Sequence, residues 1–105
     1  MFARVTRWED GDAEAIRRSG AEIRERGKSG PPEGVPSVGF TLLIDPEGGR
    51  AIGIGLFETE EDLRQGDRVL NEMEPPADMG RRADVEVYEV AFEARLDAAR
   101  DGSRS

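Results

Sequence analysis

The chain contains no cysteine and no histidine. The first absence excludes disulfide cross-links and thiolate nucleophiles. The second excludes an imidazole general base and His-ligated haem. Together they exclude the usual Cys/His zinc centres. Carboxylates remain as possible metal ligands, but none stands apart by spacing. Asp45 and Glu47 belong to a turn, and Glu58 to Asp62 belong to a helix cap. The sequence therefore points to no catalytic constellation, no metal site and no cofactor.

Long apolar runs are also missing. None reaches about 18 residues, so no membrane-spanning helix is expected and a membrane is not an expected partner. The opening residues Met1-Phe2-Ala3-Arg4-Val5 lack the charged-then-apolar order of a secretory signal, which makes the cytoplasm the expected location. Basic side chains are outnumbered, with 15 Lys and Arg against 23 Asp and Glu, for a formal net charge of −8. Arg17-Arg18 and Arg81-Arg82 are isolated pairs, whereas phosphate binding needs clustered cations, so nucleic acid is not an expected partner.

The 105 residues are enough for one ordinary domain, expected over 1–96, with a polar tail over 97–105. Phe2 to Trp8 holds Val5, Thr6 and Trp8, which favour a strand. Glu9-Asp10-Gly11-Asp12 breaks it, and Asp10 or Asp12 can cap a helix. Over 13–27, Ala13, Ile16, Gly20, Ile23 and Gly27 share one side of a helical wheel. Gly20 weakens a helix, and close approach to a sheet would account for it. Residues 28–36 are a loop by composition.

Apolar strands at 38–44 and 51–57 flank Asp45-Pro46-Glu47-Gly48-Gly49, whose Pro and Gly suit a turn. Thr59 caps a second helix with Leu63, Gly66, Leu70 and Met73 on its apolar face, ended by Pro75-Pro76. Residues 74–83 read as a loop, and 84–96 as a fourth strand with apolar residues on both faces. The order β-α-β-β-α-β is the ferredoxin-like α+β plan, with two helices on one face of a four-stranded antiparallel sheet.

If Asp45 pairs with Arg50, then Leu42 faces Gly53 and Phe40 faces Gly55. Val38, Phe40, Leu42 and Ile44 then share a face with Ala51, Gly53, Gly55 and Phe57. Gly39, Thr41 and Leu43 share the other with Ile52, Ile54 and Leu56. A strand pair wet on one side would alternate apolar with polar, and this one does not. The helices cover one face, and a second copy of the chain is the simplest cover for the other, so a homodimer is expected. Gly53 and Gly55 have two readings. They make room for Phe40 and its neighbours, or they open a cavity that receives a small hydrophobic ligand.

With the element order, Val38-Gly39-Phe40 and the junction Leu56-Phe57-Glu58-Thr59-Glu60-Glu61-Asp62-Leu63, the chain resembles the dimeric α+β barrel superfamily. The nearest group is the antibiotic-biosynthesis-monooxygenase-like (ABM-like) domains, over about residues 2 to 96. The resemblance implies a dimer with a pocket between sheet and helices. It also implies, for some relatives, cofactor-independent oxidation of aromatic, polyketide-type substrates. The ligand-binding candidates are Arg4, Trp8, Thr41, Gly53, Gly55, Phe57, Asn71 and Tyr88. Trp8 is a packed strand-end residue or an aromatic wall. Tyr88 is a proton donor or an edge phenol. Asn71 is a helix-end amide or a pocket group. Arg4 receives an anionic or enolate oxygen, or forms a structural pair with Glu86 or Glu89.

Overall fold

A computed structural model describes residues 1–73 and 79–94. The elements are β1 (Phe2–Glu9), α1 (Ala13–Gly27), β2 (Gly39–Asp45), β3 (Arg50–Phe57), α2 (Glu60–Glu72) and β4 (Arg81–Glu89). The four strands form one antiparallel sheet in the order β2-β3-β1-β4. This is the ferredoxin-like α+β fold expected from the element order.

Local chemistry accounts for most boundaries. Asp12 caps α1 by accepting the Ala15 N–H at 3.1 Å, and Thr59 caps α2 by accepting the Asp62 N–H at 3.0 Å. At the hairpin, Asp45 accepts the Gly48 N–H at 3.2 Å and Arg50 Nη2 at 2.6 Å. The anticipated register results, with Leu42 opposite Gly53 and Phe40 opposite Gly55. Gly49 has φ 69°, and a Cβ there would lie 2.8 Å from the Gly11 carbonyl oxygen, so only glycine suits the position.

The last strand differs from expectation. It begins at Arg81, because β1 continues to Glu9 and pairs Trp8 with Arg82 and Glu9 with Arg81 after a register shift beyond Arg7. It ends at Glu89, opposite Phe2, where β1 itself runs out. One further bond follows, from the Val90 N–H to the Met1 carbonyl at 2.8 Å. Residues 90–94 are not strand. Pro75-Pro76, residues 95–96 of the expected strand and the 97–105 tail lie outside the described residues.

Both helices pack on one sheet face, α1 over β2 and α2 over β1 and β3. The core beneath them is split. Ile16, Ala51 and Met79 form one buried cluster with Trp8, Ile23 and Leu42 packed against it. Val35, Phe57 and Leu63 form the second, joined by Phe2, Val69 and Leu70. Met79 and Val35 lie in segments that composition marks as loops, yet they are 0 % and 5 % exposed. Each is an apolar side chain that fills space beside a helix.

Candidate functional site

Because the two helices rest on separate clusters, a groove remains between them. Its volume is about 1230 Å³. β1 contributes Arg4, Thr6 and Trp8 to the floor, and β3 contributes Gly53, Gly55 and Phe57. Phe40, Leu42 and Ile44 of β2 extend that floor, α1 and the loop after it form one wall, and Leu70 and Met73 of α2 lie on the other side. The alternating direction of strand side chains brings these β1, β2 and β3 residues to one face.

Arg4 is the most constrained polar group in the groove. It lies on an inner strand opposite Gly55, and its side chain is 7 % exposed. Its Nε donates to Asp67 Oδ1 at 2.7 Å, Nη1 to Thr6 Oγ1 at 3.0 Å and Nη2 to Asn71 Oδ1 at 3.1 Å. Asp67 and Asn71 are four residues apart on α2, so they share a helix face. A guanidinium has five N–H donors. Three are used here, which leaves one on each terminal nitrogen with no acceptor among the described residues. Asn71 Oδ1 also accepts from Arg82 Nη1 at 3.1 Å, so one amide oxygen lies between two cations.

Arg4 therefore pairs with Asp67, not with Glu86 or Glu89. Glu86 lies on the opposite sheet face, where it accepts from Arg7 at 3.4 Å. Asn71 lies at the end of α2 as expected, and its Oδ1 accepts from both Arg4 and Arg82.

The two glycines of β3 do different things. A Cβ at Gly53 would lie 3.2 Å from Trp8 Cζ3 and 3.4 Å from Phe40 Cε1, so its lack of a side chain is used by those rings. A Cβ at Gly55 would meet only Phe57, at 3.5 Å, an ordinary contact. Its missing side chain adds open volume. Trp8 lines the groove, and its buried Nε1 has no hydrogen-bond partner among the described residues. Phe57 is fully buried and joins the groove floor to the cluster under α2.

Thr41 and Tyr88 lie away from the groove. They sit on the opposite sheet face, Thr41 across from Ile54 and Tyr88 across from Ala3. The hydrogen-bonded Glu86 carboxylate raises the Tyr88 phenol above its ordinary value. Asp67 and Arg82 were not among the expected site residues. Asp67 and Asn71 carry a weak signal in their i,i+4 spacing on α2. Arg82 had none, because the strand that presents it was expected to start at Asp84.

Among the described residues no three Asp or Glu side chains are grouped as a metal site, and no helix is long and apolar enough to cross a membrane. The chain matches no protein-family model and no curated protein.

Proposed function

We propose that the chain is a cytoplasmic homodimer that binds a small hydrophobic or aromatic molecule in the groove between sheet and helices. The groove itself is the observation that supports this reading. It is large enough for a multi-ring molecule, and its floor is aromatic and aliphatic with a few polar groups at one end. The side-chain-free surface at Gly55 adds room for a flat guest.

The dimer reading rests on the other sheet face. Val5, Ile52, Ile54 and Leu56 are half-buried there, and Leu43 is 49 % exposed. A second copy stacked on this face would bury them across a two-fold axis, as in the dimeric α+β barrels that the chain resembles.

Binding is favoured over catalysis because the lining contains no Asp, Glu, Tyr or Lys among the described residues to take a proton. A cofactor-independent oxygenase of the ABM-like kind is the second reading. The gathering of Trp8, Arg4 and Asn71 in or beside the groove favours it, and oxygen uptake with a hydroxylated polycyclic aromatic would support it.

Two measurements test the main reading. Fluorescence of N-phenyl-1-naphthylamine should rise on binding, and Gly55→Leu, whose side chain projects into the groove, should abolish the rise. An unchanged signal in that variant would remove the groove from the proposal. Sedimentation at micromolar concentration should give a dimer that Ile54→Asp splits. A wild-type monomer would remove the homodimer.

A further inference from the structure

The groove has a charge balance opposite to that of the chain. Five arginines line it, Arg4, Arg17, Arg24, Arg26 and Arg82, and no Asp or Glu does so among the described residues. The whole sequence carries 15 basic side chains against 23 acidic ones, so an unbiased lining would include several carboxylates. On α1 the sorting follows the helical period. Arg17, Gly20, Ala21 and Arg24 recur at i, i+3, i+4 and i+7 and all line the groove, while Glu14, Glu22 and Glu25 do not.

The arginines are also poorly neutralised. Arg17 pairs with Glu47 at 3.1 Å, but both side chains are well exposed and the pair is readily exchanged. Arg24 and Arg26 have no acidic partner among the described residues. Arg82 donates to the neutral Asn71 amide, and Arg4 has a single carboxylate, Asp67. At the Arg4 end, two guanidinium groups converge on the Asn71 oxygen at 3.1 Å each. The apolar walls reduce solvent screening and concentrate this positive potential inside the groove.

We infer that the guest is an organic anion. Its hydrophobic body lies over Phe40, Leu42 and Phe57, and its acidic group is held at the Arg4–Arg82 end. This rests on reading the groove as a ligand site and adds the class of ligand to it. A neutral aromatic molecule would leave the two guanidinium groups facing apolar surface. An anion receives charge-assisted hydrogen bonds from their free N–H donors. The overall negative charge of the protein would otherwise repel such a guest, and the arginine lining offsets that repulsion locally.

A matched pair of probes separates the two levels. N-phenyl-1-naphthylamine and 8-anilino-1-naphthalenesulfonate share a ring skeleton and differ by one anionic group. The sulfonate should bind the folded protein about tenfold or more tightly at low salt, the size expected of hydrogen bonds to a charged group. That preference should shrink as salt is added. Arg82→Gln keeps a donor for Asn71 but removes the charge, so the preference for the sulfonate over the neutral probe should fall severalfold. Near-UV circular dichroism checks that the variant keeps its packing. Equal affinity for the two probes, or a preference untouched by Arg82→Gln and by salt, overturns the inference while the groove stands. Failure of the neutral probe to bind in a Gly55-dependent way overturns the groove and the inference together.

Discussion

Alanine at Gly66 is predicted to leave the chain about 1–3 kcal/mol less stable than alanine at Gly20. Both glycines lie inside helices, so each substitution gains about the same intrinsic helix preference, about 1 kcal/mol. Their surroundings differ. At Gly20 an added Cβ would sit 3.7 Å from Ile44 Cδ1 and 3.9 Å from Leu42 Cδ2, which are ordinary contacts. The close approach to the sheet expected at Gly20 thus leaves room for a methyl group. At Gly66 the same atom would lie 2.6 and 2.8 Å from Phe57 Cε2 and Cζ. Phe57 is 0 % exposed and packed with Val35 and Leu63, so its ring can yield to the new methyl group only by giving up part of that packing.

Overpacking of this kind costs about 1–3 kcal/mol. Gly20→Ala should stabilise by about 1 kcal/mol. Gly66→Ala should lie about 1–3 kcal/mol below it, because the helix preference cancels in the difference. Urea unfolding at one protein concentration, with equal slopes for the variants, measures this directly. In a chain of this size 1 kcal/mol corresponds to a Tm shift of about 4–8 °C. Phe57→Leu removes the ring edge, so Gly66→Ala in that background should recover most of its loss. Equal stabilisation by both alanines, or a Gly66→Ala effect indifferent to Phe57→Leu, would refute the packing argument.

Other predictions follow from the same contacts. Asp67→Ala leaves the buried Arg4 without its carboxylate and should destabilise by about 2–4 kcal/mol, tempered by the Thr6 and Asn71 bonds that remain. Asp67→Asn should cost less in the same urea measurement, because an amide oxygen still accepts. Thr59→Ala removes the cap of α2 and should cost about 1 kcal/mol, with thermal unfolding as the readout. The Arg50 guanidinium, and then the Gly48 N–H, hold the Asp45 carboxyl below the ordinary aspartate value. A depressed folded value means that this contribution is full above the unfolded value of about 3.9 and is lost as pH falls through the folded one. Asp45→Asn should therefore flatten the fall in urea midpoint below about pH 4, and an unchanged acid limb would contradict the pairing.

The local elements were legible because their causes are local. α1 occupies 13–27 as its periodicity implies, since Asp12 caps its first turn and apolar residues recur at helical spacing. The hairpin register followed from one turn, since a pairing of Asp45 with Arg50 places every later residue of β2 and β3. The far end of β4 was harder to read. Its apolar residues continue to Leu96, but a strand lasts only while a neighbour offers hydrogen bonds, and β1 stops at Phe2. Val35 and Met79 looked like loop residues because burial in a loop leaves no periodic trace.

By itself the sequence determined which elements form, their order, which strand residues share a face, and the absence of thiol and imidazole chemistry. Periodicity, capping and turn residues act over a few positions, so one sequence is enough to read them. Tertiary structure decided the rest. It set α1 and α2 on separate apolar clusters and left a groove between them. It carried Asp67 and Asn71 to Arg4 from 63 and 67 residues away in the chain. It also gathered five arginines from two strands and a helix into one lining. Those contacts depend on where each helix lands on the sheet, which is the collective outcome of packing two apolar faces together and is encoded at no single position.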